Sequence, residues 1–138
     1  MIVTVIIHSG GMAVGLRWLM LAHDKNMHKG TLLIRSLVVG AMVFIMFVAT
    51  LIEASIWALT YLLLGAISEI EEALYFSTVT YTTLGYGDVV LGEQWRMLSS
   101  VEAANGIIIF GWTTALIIVA IHRFSRTLKK IYAWEDQK

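Results

Sequence analysis

Long apolar runs constrain this chain more than any other feature of its sequence. Three stretches, residues 1–22, about 37–66 and 98–122, each reach the ~20 residues that an α-helix needs to cross a bilayer. In the whole chain, 58% of the residues are hydrophobic and 14% are charged. A soluble domain is about one-half apolar and about one-quarter charged. We therefore predict an all-α membrane protein with three transmembrane helices.

The first stretch is the weakest of the three, because the letters HSGG and Arg17 interrupt it. A signal peptide is the alternative interpretation, but the start MIVTVII carries no positive charge and no small-residue cleavage site follows. We favour a helix that stays in the mature protein. Gly11 and Gly15 would give it a small face for close contact with another helix.

Lysine and arginine are distributed unevenly between the connections, which predicts the orientation. The connection over residues 67–97 holds one basic residue, Arg96, against five acidic ones. Eight other basic residues flank the first connection or follow the third stretch: Arg17, Lys25, Lys29, Arg35, Arg123, Arg126, Lys129 and Lys130. We expect a multi-pass protein of the cell (inner) membrane, with the N-terminus outside and the C-terminus in the cytoplasm.

The connection over residues 67–97 contains a short predicted helix. Ser68 and Glu71 have the spacing of a capping box, which predicts a helix over residues 69–82. This helix is too short to cross a bilayer, so a re-entrant helix is the natural interpretation, and the polar segment after it must then contact protein or water. The pattern alone equally allows an interfacial helix followed by a glycine turn.

The letters TLGYGD, residues 83–88, decide between these alternatives. They resemble the selectivity filter of potassium channels, which usually carries valine where Leu84 stands. An outer helix, a pore helix, the filter, the pair Trp95–Arg96 and an inner helix follow in the family's order, and the prokaryotic two-helix pore domain is the most similar. The resemblance implies a pore domain over residues 34–122, preceded by a transmembrane helix and cytoplasmic loop (1–33) and followed by a basic cytoplasmic tail (123–138).

The resemblance also implies which atoms bind the permeant ion. Backbone carbonyls and one threonine hydroxyl would coordinate K⁺, and the residues that supply them are Thr83, Leu84, Gly85 and Tyr86. Gly85 and Gly87 suit a strand whose carbonyls all turn inward, because glycine readily adopts a positive φ. Asp88 would lie at the outer mouth. Tyr86 would pack on Tyr75 and Phe76, and Val79 occupies the position where some members of the family carry a carboxylate.

Further residues are candidates for assembly, gating and support. One filter copy per chain cannot surround an ion, so we expect a homotetramer. Gly106 and Gly111 are candidates for a hinge or for close packing, and Ile109, Thr113 and Ile117 for a cavity or inner gate.

Glu53 lies in the middle of a span, where a carboxylate must be paired, protonated or turned toward protein. We expect its partner to be Tyr81, Thr82 or Trp112 rather than Glu102. We also expect a structural brace rather than a proton sensor.

The leading function is therefore a potassium-selective channel without a voltage sensor, a large regulatory domain or enzymatic activity. The chain lacks cysteine and catalytic motifs, and its histidines show no paired ligand spacing. A weakly selective cation pore, the membrane subunit of a potassium uptake transporter and a non-conducting membrane adaptor are the alternatives. Expected partners are lipid and a possible regulatory protein at the N-terminal helix, with no nucleic acid and no cofactor besides permeant K⁺.

Overall fold

The computed structural model describes residues 1–26 and 32–135, and the described part is helical apart from its connections. Lys29 of the predicted first loop and residues 136–138 of the predicted tail lie outside it. The elements in chain order are α1 (Ile2–Asn26), α2 (Leu32–Leu63), α3 (Ile70–Tyr81), a 3₁₀ turn (Glu93–Trp95) and α4 (Arg96–Glu135). No break in α4 separates the predicted inner helix from the predicted tail.

Two helical stretches in the described residues are long and apolar enough to cross a membrane. They are Ser36–Leu63 in α2, with 28 residues, and Glu93–His122, with 30 residues, formed by the 3₁₀ turn and α4. The apolar part of α1, Ile2–Trp18, is shorter than this. By length and composition, the structure therefore supports two of the three predicted spans, and a membrane crossing by α1 stays a prediction.

The end of α2 and the start of α3 are set by local backbone chemistry. Gly65 has φ +66°, and the amides of Gly65 and Ala66 donate to the carbonyls of Leu62 and Tyr61, a glycine-terminated helix end. The predicted capping box at Ser68 is wrong. The N-cap of α3 is Glu69, which makes no side-chain cap, so Ser68 lies one residue too early for its hydroxyl to cap the helix.

The buried residues form two clusters. The first joins α3 to the nearer parts of α2 and α4, and its members are Ala54, Trp57, Ala58, Tyr61, Ile67, Ala73, Phe76, Tyr81, Leu91 and Ile109. The second lies farther from α3, where α1 packs on α2 and α4, and its members are Val38, Met42, Met46, Ala49, Leu116 and Ala120. Gly11 contributes to the close packing of α1, because a Cβ there would lie 2.9 Å from the Met46 methyl group.

Candidate functional site

The segment with the letters TLGYGD begins directly at the C-terminal end of α3. The last carbonyls of a helix lack intrahelical partners, and here the following segment supplies them. The Thr83 amide donates to the Thr80 carbonyl at 2.9 Å, and the amides of Leu84 and Gly85 donate to the Val79 carbonyl at 3.0 and 3.3 Å. The last turn of α3 is therefore the anchor of the segment.

Left-handed backbone alternates with other conformations along this segment. Thr83, Gly85 and Gly87 have φ values of +60°, +57° and +78°, whereas Leu84 and Tyr86 are not in this region. Reversing the handedness at every second residue turns successive carbonyls toward one side of a strand. The two glycines adopt the positive φ expected of them. Thr83 was not expected to do so, because a β-branched residue is seldom left-handed.

The whole segment is exposed in the single chain. Residues 82–88 are all exposed, including the large side chains of Leu84 at 56% and Tyr86 at 67%. Its exposed residues carry the backbone carbonyls, the hydroxyls of Thr83 and Tyr86 and the Asp88 carboxylate. Inside a membrane, such a backbone needs cover from protein or contact with water.

Two aromatic residues of α3 occupy different environments beside the segment. The Tyr75 hydroxyl donates to Asp88 Oδ2 at 2.5 Å, which ties the predicted outer mouth to α3. This hydrogen bond lowers the pKa of the Asp88 carboxyl below its ordinary value. Phe76 instead packs edge-on against Tyr61, with ring centroids 5.2 Å apart. Packing of Tyr86 against these two aromatics stays a prediction.

Glu53 is fully buried and has two polar partners. The Tyr81 hydroxyl donates to Glu53 Oε2 at 2.7 Å, as expected. The second partner, His8 of α1, was not expected; its Nδ1 lies 3.1 Å from Glu53 Oε1. Thr82 instead donates to the Thr78 carbonyl at 2.7 Å, and Trp112 stacks on the His8 ring. The sequence feature that could have indicated a buried polar contact of His8 is the polar break HSGG inside an apolar run.

Glu102 and Asn105 attach α4 to its neighbours. Glu102 is fully buried and accepts hydrogen bonds from the hydroxyls of Tyr61, at 2.6 Å, and Ser77. Asn105 donates to the Thr4 hydroxyl of α1 at 2.9 Å. Both side chains therefore serve groups around α3 and α1.

The two glycines of α4 have different surroundings. A Cβ at Gly106 would lie 1.9 Å from the Tyr81 carbonyl oxygen, so α4 and the end of α3 touch through this glycine. At Gly111, a Cβ would meet no atom within 4 Å. Close packing is therefore present at Gly106, and a hinge at either glycine stays a prediction.

The three residues expected to line a cavity or gate do not share one environment. Ile109 is fully buried in the first cluster, so the expectation is wrong for this side chain in its own chain. The Thr113 hydroxyl lies 3.1 Å from His8 Nε2 and faces α1. Ile117 is half-buried. The spacing of these residues places them on one face of α4, but it does not show that Ile109 and Thr113 contact other helices of the same chain.

Comparison with known proteins gives one match. A family model described as ion channel matches residues 45–123, more than half of the chain. This family has two pore helices and includes prokaryotic potassium-channel pore domains. The match covers most of α2, all of α3, the segment 83–88 and α4 to Arg123, whereas α1 precedes it. Comparisons with curated proteins and with solved structures gave no match.

Proposed function

The chain belongs to the ion channel family with two pore helices, and from this we propose that it conducts K⁺ selectively and passively through a filter formed by residues 83–87. The observation that carries the proposal is the alternating backbone of this segment, with positive φ at Thr83, Gly85 and Gly87. A potassium ion that leaves water must exchange its hydration oxygens for others, and successive carbonyls on one side of a strand supply them.

The position of α3 supports cation binding below the filter. The aligned peptide dipoles of a helix give its C-terminal end a partial negative charge. In the proposed channel, α3 is a re-entrant pore helix whose C-terminal end points toward the ion pathway. Its 12 residues span only about 18 Å, against the about 30 Å of a hydrocarbon core. The helix therefore reaches partway into the membrane and returns through the filter.

Four copies complete the proposed site. One strand can surround only part of an ion, and the segment is exposed on the single chain. Placing four segments around one axis would close the ring of carbonyls and bring the exposed backbone into contact with protein and permeant ions. A homotetramer in the lipid bilayer is therefore part of the proposal, with Asp88 at the external mouth and the C-terminus in the cytoplasm.

Ion flux from liposomes tests this function directly. Purified protein is reconstituted into liposomes that contain K⁺, and the efflux of K⁺ down its outward gradient is followed. Protein-free liposomes are the control. The proposal predicts K⁺ efflux from these liposomes and far less Na⁺ efflux from liposomes loaded with Na⁺ instead. Equal fluxes of the two ions would instead indicate a weakly selective cation pore. An absence of flux for both ions would indicate a non-conducting membrane adaptor.

A further inference from the structure

A histidine in α1 contacts Glu53, which holds the end of the pore helix, although α1 precedes the matched part of the chain. Resting on the function proposed above, we propose that His8 is a positioning residue for the selectivity filter. It acts through Glu53 and Tyr81 to fix the last turn of α3, and through that turn it sets the preference of the filter for K⁺ over Na⁺.

The first step is the contact between His8 and Glu53. Both side chains are 0% exposed, and His8 Nδ1 lies 3.1 Å from Glu53 Oε1. The second oxygen of the same carboxylate accepts the Tyr81 hydroxyl at 2.7 Å. Each carboxylate oxygen thus has one partner. A buried carboxylate depends strongly on such partners, because an unpaired buried charge is costly. Losing His8 would therefore disturb how Glu53 holds Tyr81.

The second step runs from Tyr81 to the filter. Tyr81 is the last residue of α3, and the carbonyls of Val79 and Thr80 immediately before it accept the amides of the first filter residues. The Tyr81 side chain is fully buried, and its hydroxyl donates to Glu53. A shift of Tyr81 would therefore move the acceptors on which the filter backbone is anchored.

His8 itself is held from the opposite side. Its Nε2 lies 3.1 Å from the Thr113 hydroxyl of α4, and its ring stacks on Trp112 with centroids 6.2 Å apart and an interplanar angle of 8°. The imidazole thus bridges α2 and α4 with both nitrogens. A residue that merely packed α1 against the bundle would need neither contact.

The test separates the two nitrogens of His8. In His8→Asn, the amide can take the place of Nδ1 and keep the contact with Glu53, whereas the amide in His8→Gln reaches the position of Nε2 and Thr113. The readouts are K⁺ and Na⁺ binding to the purified protein, by calorimetry, and the permeability ratio in bilayers. Removing a residue that directly orients a metal ligand commonly costs about 10–100-fold in affinity, and His8 acts less directly, through Glu53 and Tyr81. We therefore expect His8→Gln to lower the K⁺/Na⁺ ratio by up to about tenfold, and His8→Asn to keep it near the parent value.

A double-mutant cycle tests whether His8 acts on the filter through Tyr81. Tyr81→Phe should lower the ratio as His8→Gln does, and the double variant should be no worse than either single variant, because both remove the same link. Ile6→Ala, at a side chain of α1 that is 64% exposed, is the control and should match the parent. Equal ratios for the asparagine and glutamine variants, or additive losses in the cycle, would overturn the role of His8 alone. A parent protein that neither binds nor conducts K⁺ selectively would overturn the proposed function, and this inference with it.

Discussion

Thr83 is held in a backbone conformation that its own chemistry disfavours. Its φ of +60° places a β-branched side chain in the left-handed region, at a cost of about 1–2 kcal/mol. Such strain persists where surrounding contacts fix the backbone, and the amide of Thr83 is fixed on the Thr80 carbonyl. In the proposed filter, the threonine also contributes a hydroxyl that glycine would lack, which explains why the strained residue is useful there.

Gly85→Ala tests the need for left-handed backbone in the filter. Gly85 has φ +57°, and an added methyl group meets no atom of its own chain within 4 Å, so the cost within the chain is conformational. We expect a cost of about 1–2 kcal/mol per subunit, with K⁺ conduction lost or made unselective while the protein still reaches the membrane. Single-channel recording in mixed K⁺ and Na⁺ measures this.

Gly92→Ala is the matched control for that variant. Gly92 also has open space around it, but its φ is −56°, which alanine adopts without strain. It should conduct as the parent does. Normal selective current in Gly85→Ala would refute the assignment of residues 83–87 as the filter.

Tyr75→Phe tests the contact at the outer mouth. The Tyr75 hydroxyl is the main cause of the lowered pKa of Asp88, so its removal should raise that pKa toward the ordinary value of about 3.9. Because the native pKa is lowered, the contact contributes to stability at neutral pH and loses this contribution as the pH falls through the native pKa. Carboxyl NMR of isotope-labelled aspartate in both proteins measures the shift. An unchanged Asp88 titration would contradict the contact.

At the scale of whole elements, α3 depends on its neighbours. With 12 residues it is too short to be stable alone. The contacts that hold it include Ser77 to Glu102, the Tyr81 hydroxyl to Glu53, and the Tyr81 carbonyl against Gly106. The first two come from polar side chains buried within the spans, where they require partners. The position of the proposed pore helix is therefore determined jointly by α2 and α4.

Gly106→Ala should displace the end of α3. The added methyl group would lie 1.9 Å from the Tyr81 carbonyl oxygen, which is backbone and can move only with the helix. We expect a destabilisation of about 1–3 kcal/mol and a weakened tetramer in thermal denaturation followed by gel filtration. Gly111→Ala on the same helix, where the space is open, should match the parent. Equal stability of the two variants would contradict the close contact.

The substitutions Glu53→Gln and Glu53→Leu test the brace between the helices. Glutamine offers an oxygen to the Tyr81 hydroxyl and an amide to His8, whose ring can present an acceptor in its other tautomer. This variant should largely keep its stability and current. Leucine would leave both partners of Glu53 unpaired, at about 1–3 kcal/mol for each. Thermal denaturation of the tetramer compares them, and a leucine variant as stable as the parent would exclude the brace.

At the scale of the whole molecule, the sequence predicts the elements better than it predicts their contacts. The helices in α2, α3 and α4, the glycine conformations at Gly85 and Gly87 and the contact of Tyr81 with Glu53 were all expected and are present. Each depends on length, local backbone chemistry or depth along a span. These properties can be obtained from a single sequence without knowledge of its tertiary contacts.

The missed features are those that depend on tertiary contacts. His8 and Glu53 are 45 positions apart in the chain, and no spacing rule links them. The burial of Ile109 depends on which side of α4 faces its own subunit, which an i, i+4 pattern leaves open. The left-handed Thr83 runs against residue preference, so only the surrounding contacts could determine it. Functional sites are where such local rules are commonly broken.

The most direct test of the central claim is the reversal potential of the reconstituted protein with K⁺ on one side of a bilayer and Na⁺ on the other. If ions are coordinated by backbone carbonyls of residues 83–86, the potential should be large, with the sign set by K⁺ moving toward the Na⁺ side, and Rb⁺ should substitute for K⁺ while Na⁺ is largely excluded. A reversal potential near zero, with K⁺ and Na⁺ equally permeant, would contradict the account.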